Sequence, residues 1–408
     1  MRKKLWVAVV ALSIAAALSA CGGKNGKTEE SSAAAKSSEA STEKADEKAD
    51  EKAEAKSTES GKESEGKLVL ETGAYPESTQ HLKTGEKPES PTVTWAQGAS
   101  GNVLVSIAKA QGYFDEVGLT VNEIPLDENQ IQAVSTGQVD IASNTGTWAP
   151  LKNIVAGDDI AIIGGNMLTG CMPIIAKEGA EWKGAESLLG KKFGESVASY
   201  ATLNGLVKEG HDVTKEITFV DGMADADKIQ AILKGELDYA TVGTGRMYQV
   251  LNTKGIQIVS YCSDITPNYS CCRMIARNSW VQKNPTTVKL LNEALIRAQA
   301  YFQKHKQETV DLMAKQLNAN KEYVEAYLLN EHYRINPDTL KNTVFDNYRY
   351  MMAVHGVDNV DKSVKLEDRI YNELYKEALD EAEKKWGSDD PSFYEEAQQF
   401  YTEHNTNQ

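Results

Sequence analysis

The sequence predicts an α/β fold of two lobes, each a mostly parallel sheet flanked by helices, with two crossover hinge strands between them. Three observations lead there. From Pro91 onward, short apolar strands alternate with single helices, the pattern of βαβ units and parallel sheets. About 300 residues take part, too many for one ordinary core and a comfortable size for two. Two similar apolar segments, residues 171–177 and 271–277, bracket about a hundred residues; a shift of one hundred superposes Cys171 on Cys271, Ile175 on Ile275, Ala176 on Ala276 and Lys177 on Arg277. A chain that leaves one lobe on the first segment and returns on the second is hinged there.

Residues 1–20 read as an export signal, with a basic start and an apolar run over residues 5–17. That run is shorter than the roughly twenty residues a spanning helix needs. Leu18, Ser19, Ala20 and Cys21 resemble the lipobox of bacterial lipoproteins, which implies a lipid such as palmitate on Cys21 and attachment to the extracytoplasmic face of the cell membrane. Residues 21–90 are expected to form a disordered, lipid-attached tether. Residues 24–66 are mostly Lys, Glu, Asp, Ala and Ser with no aromatic residue, so nothing offsets the entropy of ordering them. In "EKADEKADEKAEAK", Glu43, Glu47 and Glu51 fall four apart, where like charges repel on a helix. The loose region is expected to continue through Ser90.

Residues 91–172 plus 272–387 are assigned to lobe 1 and residues 173–271 to lobe 2. Strands are expected at "TVTWAQ" (92–97), "LTVNEIPL" (119–126), "VDIASNT" (139–145) and "IAIIGG" (160–165), with helices at 101–114, 129–138 and 148–157 between them. In lobe 2, strands are expected at "KKFGES", "EITFVD", "LDYATVG" and "IQIVSY", and helices at 181–190, 200–210, 224–236 and 246–255. Long helical patterns from Pro285 through Gly387 should wrap back over lobe 1. Residues 388–408 read as a tail with one weak amphipathic helix.

The residues offer little catalytic chemistry. "GAESLLGKKF" superficially resembles a nucleotide loop, but five residues separate Gly184 from Gly190 where four are required, and Lys192 stands in place of Ser or Thr. In "VGTGRMY", Tyr248 occupies the position of a third glycine. There is no GxSxG and no HExxH. Cys171, Cys262, Cys271 and Cys272 lie in apolar, strand-like settings where buried free thiols are common, with no histidine nearby in sequence and no zinc-like spacing. No catalytic residue, cofactor or metal is expected. A formal charge of −15 argues against nucleic acid and anionic lipid as partners.

The loops at strand ends are richer. Ligands of doubly wound sheets bind beyond the carboxyl ends of strands, where helix N-termini present unpaired N–H groups. Four such junctions carry small or hydroxyl residues: Ser100, Gly101 and Asn102; Thr145, Gly146, Thr147 and Trp148; Ser196, Ser199 and Tyr200; and Gly243, Thr244 and Arg246. Two belong to each lobe, so they are expected to form opposing walls of one ligand cleft. Arg246 or Arg273 could meet an oxyanion; Trp95, Trp148 and Tyr200 could meet a flat heterocycle.

Five stretches carry a family resemblance: "SIAKAQGYFDEVGLTV" (106–121), "AVSTGQVDIASNTG" (133–146), "LLGKKFGESVASYATL" (188–203), "IQAILKGELDYATVG" (229–243) and "MIARNSWVQKNP" (274–285). In order and spacing they are similar to solute-binding proteins of bacterial ABC importers, of the type serving sulfonates, taurine, nitrate or the pyrimidine precursor of thiamine. The resemblance covers about residues 91–385. It implies the periplasmic-binding-protein type II fold, capture of a small organic anion or heterocycle by lobe closure, delivery to permease subunits, a monomer, and no catalysis. By position, Ser199 and Tyr200 match the family's hydroxyl pair, and Gly146 and Thr147 its first-lobe loop. Gly243 and Thr244 stand where relatives often place an aromatic and an acid, and Ala198 replaces a usual glycine. The alternative implied by the same resemblance is a pyrimidine-synthase-like enzyme on this scaffold; a third reading is a surface lipoprotein that senses or adheres.

Overall fold

The computed structural model describes residues 68–357 and 359–407. The expected signal segment, the expected lipid-attachment residue Cys21 and the expected tether up to residue 67 lie outside the described residues. The first sheet contains β1 (Thr92–Gln97), β2 (Thr120–Pro125), β3 (Ile141–Gly146) and β4 (Ile160–Gly165). The chain passes through β5 (Met167–Thr169) into a second sheet of β6 (Pro173–Lys177), β7 (Lys192–Gly194), β8 (Thr218–Phe219), β9 (Tyr239–Thr241) and β10 (Ile256–Tyr261). It re-enters the first sheet on β11 (Cys272–Arg277), and β12 (Arg334–Ile335) pairs with β5.

The strand orders are β2-β1-β3-β11-β4 and β10-β6-β9-β7-β8. In each sheet one strand opposes the other four: β11 is antiparallel to β3 and β4, and β6 to β9 and β10. These are the strands on which the chain arrives from the other sheet. A strand entering from the edge where its neighbours end must run against them, so the reversal follows from the crossing. All other strands are parallel, as the alternating pattern predicts.

The elements follow from local sequence. β4 is buried on both faces and is correspondingly a continuous apolar run. β1 alternates, with Val93 and Trp95 in the core. The helix Pro285–Lys304 begins with Pro at its first position. Its N-terminal N–H groups meet the Glu89 carboxylate, which accepts from Thr286 N at 3.1 Å and Thr287 N at 2.9 Å. The helix expected over 181–190 is reduced to one 3₁₀ turn, Ala185–Leu188, because Gly184 and Gly190 hold left-handed φ at its two ends.

Two expectations at the ends of the folded part are corrected. Residues 68–90 are not a loose continuation of the tether; they form an extended strap bonded along the body. Tyr75 N donates to Asn407 Oδ1 at 2.7 Å, Thr79 N to Asp368 Oδ1 at 2.7 Å, and the Thr84 hydroxyl to Glu377 Oε2 at 2.6 Å. Glu77 meets the buried Lys341 ammonium at 2.6 Å. Low overall apolar content misled here, because hydrogen bonds dock the strap together with a few apolar anchors, Leu68, Leu70, Tyr75 and Leu82, that pack against the cores. Nor are residues 388–408 a tail. The helix Pro391–Asn405 buries Phe393, Tyr394 and Tyr401, and the Asn405 amide accepts from Lys341 N and donates to Asp338 Oδ1. No helix among the described residues is long and apolar enough to cross a membrane.

Asp338 is fully buried beside Arg273, and burial pushes its pKa from 3.8 up to about 6. The folded protein therefore holds this proton more tightly than the unfolded chain. The resulting stabilisation is complete below about pH 4 and is lost as pH rises through about 6, a change on the order of 3 kcal/mol. In urea midpoints measured from pH 4 to 7, the difference between wild type and Asp338→Asn should track that loss; a difference independent of pH would contradict it.

Candidate functional site

β3 and β7 each lead into a helix, Trp148–Val155 and Tyr200–Lys208 respectively. The side chain between these two junctions is Tyr350, from the helix Lys341–Ala353. Its ring centroid lies 6.4 Å from Trp148 and 5.7 Å from Tyr200, edge-on to both. Its hydroxyl donates to the Val197 carbonyl at 2.8 Å. One tyrosine thus touches the strand-end loops of both sheets, so those loops face each other. Other bonds close the same seam. The Thr147 hydroxyl donates to the Ser270 carbonyl. Thr244 Oγ1 lies so near Gly170 that a Cβ there would come within 2.5 Å of it. A Cβ on Gly245 would meet the Tyr323 hydroxyl at 3.2 Å.

The predicted positions divide by what they touch. Asn102 turns inward: it is fully buried, its Nδ2 donates to the Ala96 carbonyl at 3.0 Å, and its Oδ1 accepts from the Ser143 hydroxyl at 3.1 Å. Gly101, at φ +72°, packs against Met313 and leaves no room for a Cβ. The Ser100 carbonyl accepts from Tyr327. The Ser196 hydroxyl accepts from Ala198 N and the Ser199 hydroxyl from Thr202, so both tighten their own loop. Thr145 donates to the Arg273 carbonyl at 3.3 Å, and with Gly146 it lines a hollow of about 540 Å³ shared with Asp127, Gln130 and Asn144. Gln130 is buried there with its Oε1 unpartnered. Tyr200 lines a larger hollow of about 820 Å³, bounded by Asn204, Asn342, Asp346 and His404, which draws on both halves of the molecule. Burial pushes the Tyr200 hydroxyl pKa up, so it stays neutral.

Two of the groups offered for ligand recognition lie elsewhere. Arg273 is fully buried and donates to the Thr339 carbonyl at 2.9 Å, inside the first half. Trp95 is core, its indole N–H donating to Ser143 at 3.0 Å. Arg246 is exposed, against Gln249. The second-half wall is acidic instead. Glu195, at the end of β7, accepts from the Thr241 hydroxyl and sits 3.7 Å from the Lys228 ammonium. Asp225 opens the helix Asp225–Lys234, accepts from Gly243 N at 2.7 Å and pairs with the same Lys228 at 3.2 Å. Two carboxylates thus share one largely buried ammonium. Sequence reading missed Tyr350 and Tyr323 because they lie in the C-terminal helices, far in sequence from the strand ends; the tyrosine-rich runs "DNYRYMM" and "KEYVEAY" were their only trace.

The four described cysteines are free. Among the described residues, Glu186, Glu209 and His211 bring ligand atoms within 4.8 Å of one another on the surface of the second half, a kind of set common on acidic proteins.

Residues 103–309, half of the 408-residue chain, match the family model described as NMT1/THI5 like. The chain belongs to the NMT1/THI5-like family. This family member is similar in structure to the periplasmic aliphatic sulphonate binding protein SsuA from Escherichia coli, with 18% identity, a TM-score of 0.56, and coverage of 69% of this chain and 92% of that one. The periplasmic nitrate-binding protein NrtA from Synechocystis PCC 6803 gives 14% identity and a TM-score of 0.58 over 72% of this chain and 90% of that one. The alkanesulfonate-binding protein SsuA from Xanthomonas axonopodis pv. citri, bound to MOPS, gives 14% and 0.54 over 69% and 99%. These likenesses establish the periplasmic-binding-protein fold. No curated protein matches the sequence.

Tyr350→Ala removes ring contacts to both halves of this NMT1/THI5-like chain and should lower the unfolding free energy by about 3 to 5 kcal/mol. Tyr350→Phe removes only the hydroxyl bond and should cost about 1 kcal/mol. Urea denaturation distinguishes them; an undiminished stability in Tyr350→Ala would contradict the bridging role.

Proposed function

We propose that this protein is an extracytoplasmic, lipid-anchored solute-binding protein of an ABC importer, which closes its two halves on a small molecule and delivers it to permease subunits. The observation that carries the reading is Tyr350, packed between Trp148 and Tyr200 so that the strand-end loops of two sheets converge on one seam. Family membership and the periplasmic-binding-protein fold support it, as do the export signal and Cys21 in the sequence. Closure requires only that the ligand bind the closed arrangement better than the open one.

The electrostatics favour a flat heterocycle, such as an aminopyrimidine, over an oxyanion. An oxyanion needs free helix N-termini and a cation. Here Asp225 already occupies the N-terminal position of its helix and Glu195 stands beside it, while Arg273 is buried away in the first half. Trp148 and Tyr200, held in place by the buried Tyr350 between them, supply the aromatic groups that a flat ring would meet.

Thermal melting with a panel of aminopyrimidines, alkanesulfonates and nitrate tests this, because a ligand of the folded state raises the melting temperature by mass action. An aminopyrimidine should stabilise and be recovered unchanged, and Tyr200→Ala should weaken its binding by about 1 to 3 kcal/mol in calorimetry. Stabilisation by sulfonates or nitrate alone would overturn the charge reading. Conversion of the ligand to product would favour a synthase-like enzyme on this scaffold.

A further inference from the structure

A hollow of about 280 Å³ is walled by the helix Pro285–Lys304, the β5–β12 pair and the helix Pro391–Asn405, and none of the strand-end loops at the seam lines it. It opens where two cores fail to meet: Phe302 and Ile335 belong to one hydrophobic cluster and Phe393 to another. Protein interiors pack to near-crystal density, so a void of this size within the fold stands out. Phe400 and the buried Leu168 extend its apolar wall.

Polar groups reach into this apolar space without partners. Gln299 lines the hollow, is only 8% exposed, and has no side-chain hydrogen bond among the described residues. Asn336, 7% exposed, accepts from Asp338 N at 2.8 Å through Oδ1, while its Nδ2 has no partner among the described residues. A buried amide left unpaired costs free energy, so two of them on one cavity wall mark the place of a ligand's polar atom. Lys306, at the start of the next helix, holds its ammonium 5.6 Å from the centre of the Phe302 ring and meets no carboxylate among the described residues. Arg334 lines the hollow too, donating to Asn268 at 2.8 Å, and the one carboxylate in the lining is the exposed Glu396. The lining is thus net positive on a chain of formal charge −15.

We propose that this hollow is a second small-molecule site, for an aromatic carboxylate that carries a ring hydroxyl. A cavity of about 150 Å³ takes up benzene, so 280 Å³ admits one ring with a polar substituent at each end. Phe302, Phe393 and Phe400 surround the ring. The Gln299 and Asn336 amides meet its hydroxyl inside, and the more exposed Lys306 ammonium meets its carboxylate. Leu168 lies on β5, so the ligand also packs against the outgoing passage between the sheets. The site shares no residue with the seam, and it and the solute reading can fail separately.

The test is calorimetric titration of the full-length protein with 4-hydroxybenzoate, benzoate and 4-hydroxybenzyl alcohol. Wild type should bind one equivalent of 4-hydroxybenzoate, and each analogue lacking one polar end about tenfold more weakly. Gln299→Leu should bind 4-hydroxybenzoate and benzoate alike, because the hydroxyl has lost its partner. Lys306→Gln should bind 4-hydroxybenzoate and the uncharged alcohol alike. Ala397→Phe, which fills the hollow from the C-terminal helix, should bind none of the three. The proposal is overturned if wild type binds no 4-hydroxybenzoate, if Ala397→Phe binds it as tightly as wild type, which would place it elsewhere on the molecule, or if Gln299→Leu or Lys306→Gln keeps the preference of wild type.

Discussion

Two passages of chain lie against one another, and the rest of the molecule depends on that contact. Asn166 N donates to the Cys272 carbonyl at 3.2 Å and Cys271 N to the Leu168 carbonyl at 3.1 Å. The Tyr269 hydroxyl then accepts from Gly170 N at 2.9 Å and donates to the Gly170 carbonyl at 3.0 Å. Each sheet has its antiparallel strand because of this crossing, and the strand-end loops of both sheets open toward it. Gly170 is required for a steric reason: Thr244 and Cys271 leave no space for a side chain. These polar links, next to Ser270 and Asn268 in left-handed conformation, hold the two passages together.

The contact between the halves is aromatic at its centre and acidic on one side. Tyr350 carries the aromatic part from a helix that neither sheet contributes, which explains why residues after 340 matter to a seam formed by loops before 250. The strap and the Pro391–Asn405 helix hold that helix in place from behind, through Glu77 on Lys341 and Asn405 on Lys341 N. A tyrosine that must reach two loops needs its backbone fixed. The terminal segments therefore act on the seam indirectly, by positioning.

The parallel order and its alternation were legible in the sequence, because period-2 and period-3.6 apolar patterns are local. β1, β4 and β10 fall on the residues the pattern marks. The strap was not legible: its bonds from Tyr75 to Asn407 and from Thr79 to Asp368 span the whole chain, and no local property encodes a partner that distant. The loops were legible as loops but not as contacts. Ser196 and Asn102 look alike as hydroxyl or amide residues before helices, yet one tightens a turn and the other is sealed in the core. Which way a polar side chain faces depends on what packs over it, and here that is Met313, Tyr327 and Tyr350, all from helices after residue 300.

The central claim is that the two halves move as bodies about the paired crossovers and close on a solute. It is tested most directly by measuring the distance between spin labels on the exposed Ser135 of the first half and Lys234 of the second, with and without a solute that stabilises the fold. The account predicts a broad distribution that narrows and shortens when the solute is added. A distribution that the bound solute leaves unchanged would contradict it.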